Sequence, residues 1–241
     1  MMLVVDVSPS MLSKDVFPDR LSAVKKMANE LIERRKQDRI GLTIFAGGAF
    51  NQCPLTSDHR ILSALISNIQ VGRLPEGTAI GTGLATAINH LKDSTSLSKV
   101  IVLISDGDQN MGEIGPLEAS LIARALGIKI YIIGIGKNGL AEVPAFRQRD
   151  GTYGFGSINI KIDKVGLSKV ATAAGGKFYW AQSTGELQAI SKDIDQLETS
   201  ELKVTSVQRV TDLFFWFLNA ALSLLLLEIV LRWGPLRVIT V

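Results

Sequence analysis

"LVVDVSPSML" (residues 3–12) joins an apolar run to a regularly spaced set of polar side chains. The apolar residues predict a buried strand, and Asp6, Ser8 and Ser10 follow at its end with a spacing of two. In open α/β sheets, ligands bind beyond the carboxyl ends of the strands. The stretch therefore predicts an α/β fold with a ligand site at the end of its first strand.

Apolar strand-like runs alternate with amphipathic helix-like segments along the rest of the chain. Strands buried on both faces are typical of a parallel sheet that is covered by helices. We therefore predict a doubly wound, mostly parallel sheet with helices on both faces, and we interpret the glycine-rich stretch 137–162 as irregular. Strands are predicted at 2–7, 39–47, 99–107, 128–136 and 177–181, helices at 20–37, 59–69, 116–126, 163–176 and 184–198, and a loop that runs into a helix at 77–94.

The composition excludes several classes of function. The 26 basic and 23 acidic residues are well mixed and give a net charge of +3, without the lysine and arginine block that nucleic-acid binding requires. The single cysteine, Cys53, excludes an internal disulfide framework and a cysteine-only zinc site. We expect Cys53 to be a small buried thiol.

Residues 213–231 form an apolar run that is long enough to cross a bilayer. Trp216 and Trp233 lie near its two ends, where aromatic rings settle at the membrane interface, and Glu228 can pair with Arg232 one turn away. The alternative is a buried core helix. The expected organisation is a domain at 1–198, a linker at 199–212, a transmembrane helix at 213–231 and a short tail at 232–241.

Further oxygen donors lie where the predicted topology brings strand ends together. Asp106 ends an apolar strand in "VLISDGDQN" (102–110), and Thr78 lies in the glycine-flanked loop "PEGTAIGTG" (75–83). Together with Asp6, Ser8 and Ser10 they form a set of carboxylates and hydroxyls, which suits a hard divalent cation such as Mg²⁺. By itself, the Asp-x-Ser-x-Ser pattern is also typical of a helix cap or a turn.

These segments resemble a known site. "DVSPSM" (6–11), "GTAIGTGLATAI" (77–88) and "VLISDGDQN" look like the metal-ion-dependent adhesion site of von Willebrand factor type A (VWA) domains, over about residues 1–198. Residues 38–59 and 162–198 resemble more narrowly the bacterial aerotolerance-type (Bat) membrane proteins, whose C-terminal membrane helix matches 213–231. Relatives of this type carry one or two membrane segments before the domain.

The resemblance implies a role for each donor. Ser8 and Ser10 would bind Mg²⁺ or Mn²⁺ through their hydroxyls, and Thr78 would bind directly or through water. Asp6 and Asp106 would act mostly through bound waters and hold the serines in place, and a carboxylate from a partner would complete the site. In the same loop, Asp108 and Asn110 are candidates for a partner-binding rim, although a solvated loop is the simpler interpretation.

The function that the resemblance implies is non-enzymatic. We expect a membrane-anchored, cation-dependent protein-binding module in a bacterial envelope complex, with a partner that presents Asp or Glu. Other membrane VWA proteins and a MoxR-type AAA+ ATPase are the expected partner classes, and nucleic acid is not. The alternatives are a structural scaffold without metal and a metal-dependent phosphohydrolase, although no general base is evident near the site.

The expected location is the bacterial cytoplasmic (inner) membrane, with one pass. Lys203 and Arg209 precede the predicted span, and Arg232 and Arg237 follow it, so the flanking charges do not select an orientation. The chain begins within the first predicted strand, so we expect no secretory leader within it. The domain is expected on the extracytoplasmic side if further spans precede it in the whole protein.

Overall fold

A computed structural model gives the arrangement of the chain. It describes residues 1–94, 96, 98–107, 109–148, 152–160, 162–205 and 214–233, with the side chains of 198–205, 214–215 and 230–233 outside that description. Asp108 of the predicted rim, residues 206–212 of the predicted linker and all but the first two residues of the predicted tail lie outside the described residues.

Eight strands and seven α-helices are present in the described part of the chain, with a short 3₁₀ helix at Pro9–Leu12. The strands are β1 (Met2–Asp6), β2 (Ile40–Phe45), β3 (Ala49–Thr56), β4 (Lys99–Ser105), β5 (Ile128–Ile135), β6 (Gly139–Arg147), β7 (Tyr153–Ile160) and β8 (Phe178–Ala181). The helices are α1 (Arg20–Arg34), α2 (His59–Ser67), α3 (Ile80–Leu91), α4 (Pro116–Ala125), α5 (Lys164–Ala173), α6 (Thr184–Thr205) and α7 (Phe214–Trp233).

Six strands form the central sheet in the order β3-β2-β1-β4-β5-β8. All neighbours are parallel except β3, which pairs antiparallel with β2 at the edge. The order of strands reverses between β1 and β4, so this is the switch point at which doubly wound sheets bind ligands. The predicted α/β fold with a mostly parallel sheet is confirmed, and Asp6 lies at the switch point.

The sheet is buried on both faces because successive side chains of a strand point to opposite sides. In β1, Leu3 and Val5 belong to one core cluster, and Met2 and Val4 belong to the other. All four side chains are at most 1% exposed. This packing explains why β1 is apolar from Met2 to Val5. Its one polar residue, Asp6, is the last residue of the strand.

Two strand-containing segments were not predicted. β3 has the sequence AFNQCPLT, whose asparagine, glutamine and proline are poor strand formers, and proline is tolerated because β3 is an edge strand. The prediction that 137–162 is irregular is wrong, because β6 and β7 form an antiparallel hairpin there. Its glycines carry no β propensity, and the pairing depends instead on packing against the rest of the domain.

The chain divides into two compact units, Met1–Leu202 and Lys203–Val241. α6 continues to Thr205, so the start of the predicted linker is helical. A membrane span needs roughly 20 consecutive apolar residues, and among the described residues no helix is long and apolar enough to cross a membrane. The transmembrane helix predicted at 213–231 is therefore not supported by the structure.

Candidate metal centre at the switch point

Asp6 is the central residue of the candidate site. Its side chain is fully buried at the end of β1, where Oδ1 accepts a hydrogen bond from Ser8 N (2.9 Å) and Oδ2 accepts one from Ser105 Oγ (2.6 Å). Burial, and after it the negative charge of Asp106, raise the pKa of Asp6 to about 7 against the hydrogen bonds that favour its ionised form. Two carboxylates thus lie close together in a buried setting, which a cation would stabilise.

Ser8 and Ser10 bring two hydroxyls to the same place. Ser8 precedes the 3₁₀ helix with an extended backbone, and its Oγ lies 2.9 Å from Ser10 Oγ. The tight turn of the 3₁₀ helix makes this approach possible. The backbone bond from Ser8 to Asp6 then ties this hydroxyl pair to the buried carboxylate.

Thr78 lies at the same edge of the sheet. Ala79 N donates to the carbonyl of Ala46 (2.7 Å), which follows β2, and β2 pairs with β1 as far as Asp6. Thr78 is buried, and its backbone N donates to Asn110 Oδ1 (2.9 Å) while Asn110 N donates back to Thr78 O (3.2 Å). Asn110, predicted as rim, therefore fixes the Thr78 loop, and its contact with a partner stays a prediction.

Glycines allow the Thr78 loop to approach its neighbours closely, as the sequence predicted. Gly77 has φ +115°, and a Cβ on Gly81 would lie 1.9 Å from the carbonyl oxygen of Ile114.

We expect Gly81→Ala to lower the free energy of unfolding by about 1–3 kcal/mol, because backbone must move to admit the methyl group. Gly185→Ala is the control, since nothing lies closer than 4.0 Å to its Cβ position. Urea denaturation of both variants checks this, and equal stability would contradict it.

Arg20 is a site residue that the sequence analysis missed. Its guanidinium is 1% exposed, with Nη1 2.9 Å from Asp106 Oδ2 and with Nε and Nη2 each 2.8 Å from a different oxygen of Asp15. Nη1 also lies 3.5 Å from the carbonyl of Ser10. Arg20 therefore links the loop after β1 to the loop after β4. A signal was present, because Arg20 falls on the same helical stripe as Val24, where a charge needs a buried partner.

The donor set is rich in hydroxyls. Among the described residues, no group of three or more His, Cys, Asp and Glu side chains could hold a metal ion, so two carboxylates and the hydroxyls are what the switch point offers. Cys53 is buried and free, as predicted, and burial raises the pKa of its thiol. These oxygen donors suit a hard cation and do not form a site of the thiolate or imidazole type. The structure brings Asp6, Ser8, Ser10 and Asp106 together, with Thr78 beside them at the same edge.

Doubly wound α/β domains bind ligands at their switch point. This domain carries serine hydroxyls and two carboxylates there, which places it in the ligand-binding class of such domains. The model of the von Willebrand factor type A domain matches residues 1–109, which contain all five predicted donors. The chain therefore contains a von Willebrand factor type A domain.

Curated relatives are similar to most of this chain. A Borreliella burgdorferi protein, described as uncharacterized, is 32% identical over 225 residues, which cover 93% of this chain and 66% of that protein. A UPF0353 protein of Nocardia farcinica is 30% identical over 80% of this chain and 61% of its own length. The chain thus spans less than two thirds of the length of these curated relatives.

The fold is shared with Bat-type proteins. An aerotolerance-related membrane protein from Bacteroides fragilis and BatB from Bacteroides thetaiotaomicron are each 27% identical with a TM-score of 0.71, over 81% and 82% of this chain and 96% and 98% of theirs. Proximal thread matrix protein 1 from the mussel byssus, with a zinc-occupied MIDAS motif, has a TM-score of 0.63 at 22% identity, over 82% of this chain and 44% of that chain. This last likeness concerns the fold alone.

Proposed function

We propose that this chain is a cation-dependent protein-binding module whose site holds Mg²⁺ or Mn²⁺. The convergence of Asp6, Ser8, Ser10 and Asp106 at the switch point supports the proposal, because it places two buried carboxylates beside paired hydroxyls. Thr78 would contribute a fifth donor. The cation would add positive charge beside Asp6 and beside Asp106, which already pairs with Arg20, and it would offer an open position to a partner's Asp or Glu.

The chemistry of the donors favours Mg²⁺ and Mn²⁺ over zinc. Carboxylate and hydroxyl oxygens are hard ligands, whereas Zn²⁺ prefers nitrogen and sulfur. The mussel protein with a zinc-occupied MIDAS motif makes Zn²⁺ a necessary comparison. We expect Mg²⁺ and Mn²⁺ to protect the chain against thermal unfolding, with a stabilisation that grows as the logarithm of the cation concentration above the dissociation constant. Differential scanning calorimetry with each metal and with EDTA measures this, and protection by Zn²⁺ alone would contradict the preference.

The experiment that tests the function is metal-dependent capture. The full chain is immobilised and exposed to a bacterial envelope extract in Mg²⁺ and in EDTA, with Ser10→Ala as the matched variant. Proteins that are retained in Mg²⁺, released by EDTA and not retained by Ser10→Ala support the proposal. The same proteins retained in all three conditions would support the scaffold alternative instead. Other membrane VWA proteins and a MoxR-type AAA+ ATPase are the partner classes that we propose to look for.

The phosphohydrolase alternative has a separate test. A hydrolase of this kind needs a nucleophile or an activated water with a general base beside the cation. Asp6 already accepts hydrogen bonds from Ser8 N and Ser105 Oγ. The residue two positions after it is a serine, which is not the acid that would assist an aspartate nucleophile. We propose that the chain is not an enzyme and expect no Mg²⁺-dependent turnover of p-nitrophenyl phosphate. Turnover that disappears in Asp6→Asn would overturn that part of the proposal.

Membrane attachment is the second part of the proposal. It is supported by the apolar run at 213–231 and by the description of the B. fragilis relative as a membrane protein. Alkaline carbonate extraction of bacterial membranes that contain the full chain, compared with a chain ending at residue 205, tests it. The full chain is expected in the pellet and the shortened chain in the supernatant. Release of both would contradict attachment through this segment.

A further inference from the structure

A cavity lies directly beside the candidate metal centre. Its volume is about 270 Å³. Ser10 and Asp106 of the centre line it together with Ser13 and Arg20, and the remaining lining is mainly apolar and comprises Val143, Pro144, Ile158, Asn159, Ile160 and Ile162. We call this cavity the hairpin pocket, because the apolar side comes from the β6–β7 hairpin and the residues that follow it. The hairpin pocket therefore joins a polar floor to an apolar wall.

Specific contacts hold the hairpin in this place. Lys14 N, just after the 3₁₀ helix, donates to the carbonyl of Glu142 in β6 (3.2 Å), and Lys14 Nζ lies 3.3 Å from Glu142 Oε2. Lys14 Nζ also lies 4.4 Å from the centre of the Phe155 ring in β7. Ile162 N donates to Asn138 Oδ1 (3.1 Å) and closes the base of the hairpin. The apolar wall thus has a fixed position relative to the serines.

We propose that the hairpin pocket receives an aliphatic side chain that neighbours the partner's cation-binding carboxylate. The proposal rests on the proposed function, since it takes the acidic residue at the cation as its starting point. The pocket continues from Ser10 and Asp106, so a residue next to that acid along the partner chain reaches the wall of Val143 and Ile158. The partner segment would then combine one acidic residue with an adjacent leucine, isoleucine or valine.

The size and lining of the pocket favour one side chain over a small molecule. Ligand pockets in proteins usually hold roughly 300–1,000 Å³, with several polar groups that orient the ligand. The hairpin pocket is slightly smaller, at about 270 Å³, and its polar residues lie mostly on the side of the metal centre, whereas the hairpin side is apolar apart from Asn159 and suits a branched aliphatic group. Ile158 is 50% exposed and would lose contact with water when such a group enters. Burial of these apolar surfaces is the source of the expected affinity.

Three blocked tripeptides test the proposal on the full chain in Mg²⁺. Gly-Asp-Gly presents the carboxylate alone, and Leu-Asp-Gly and Gly-Asp-Leu add leucine on either side. We expect at least one of the leucine peptides to bind about tenfold more tightly than Gly-Asp-Gly, as measured by NMR titration. Ile158→Ser is expected to reduce that ratio to about one.

Leu140→Ser is the matched control. Leu140 is 82% exposed, and because Ala141 pairs with Ile158, Leu140 lies on the opposite face of the hairpin. This variant is expected to keep the preference for leucine. Equal binding of the three peptides to the wild type would overturn the hairpin pocket and leave the proposed function standing. Absence of binding by all three would overturn both. A dimer that Ile158→Ser dissolves, seen by analytical ultracentrifugation, would make a second copy the occupant and overturn the proposal.

Discussion

Replacement of Asp6 by asparagine is expected to weaken Mg²⁺ and Mn²⁺ binding by about 10–100-fold while the domain stays folded. The substitution removes one of the two negative charges at the candidate centre. It keeps a carbonyl oxygen for Ser8 N, and the Ser105 hydroxyl can rotate to accept from the new amide instead of donating. The shape and hydrogen bonding of the site are thereby retained without the charge that the cation needs.

The stability of Asp6→Asn separates a binding role from a structural one. Burial opposes ionisation of Asp6, so loss of its charge removes a cost to the folded state. We expect the free energy of unfolding without cation to change by less than about 1 kcal/mol. Isothermal titration calorimetry and urea denaturation give the two quantities. Asp163→Asn is the control, because Asp163 is exposed and caps α5, where asparagine caps equally well. Cation affinity that survives in Asp6→Asn would contradict the assignment.

Replacement of Arg20 by methionine is expected to lower the free energy of unfolding by about 3–5 kcal/mol, because it leaves buried charges without their partner. The side chains of Asp15 and Asp106 that Arg20 pairs with are each 4% exposed. Asp15 Oδ2 also accepts from Lys137 N (2.6 Å), so the loss extends to the end of β5. Arg20 also lowers the pKa of Asp15 through its hydrogen bonds and its charge.

Two further variants define what Arg20 contributes. Arg20→Lys keeps the charge and loses the paired geometry of the guanidinium, so an intermediate loss of stability is expected. Arg60→Met is the control, because Arg60 is 95% exposed and its pair with Asp58 is long, at 3.9 Å. Guanidinium chloride denaturation measures all three. A loss below about 1 kcal/mol in Arg20→Met would show that the buried network is not what stabilises this edge of the sheet.

The sequence carried enough information for the parallel strands of the central sheet, because they are apolar, but not for the polar edge strand β3. Asp6 and Asp106 illustrate this, since each follows a buried strand and both arrive at the switch point. The β6–β7 hairpin could not be predicted in the same way. Its residues alternate weakly, its glycines do not favour strands, and its position depends on contacts with Lys14, distant in sequence.

The candidate site shows the same division. The regular spacing of Asp6, Ser8 and Ser10 was sufficient to predict them as a site, because these residues are close together in the sequence. Arg20 was not found, because its partner Asp106 lies 86 positions away and only the fold brings them together. The hairpin pocket is a property of tertiary packing in the same sense. The periodicity of apolar residues indicates which residues are buried. It does not indicate which distant side chains, such as Arg20 or the apolar residues of the hairpin, lie beside a site.

Both proposals depend on the binding of a divalent cation at the switch point. The most direct test is titration of the isotope-labelled full chain with Mn²⁺, whose unpaired electrons broaden the NMR signals of nearby nuclei. We predict that the amide signals of Ser8, Ser10 and Thr78 disappear first, that those of α2 persist, and that EDTA restores the spectrum. Broadening centred elsewhere, or none at saturating Mn²⁺, would contradict the claim.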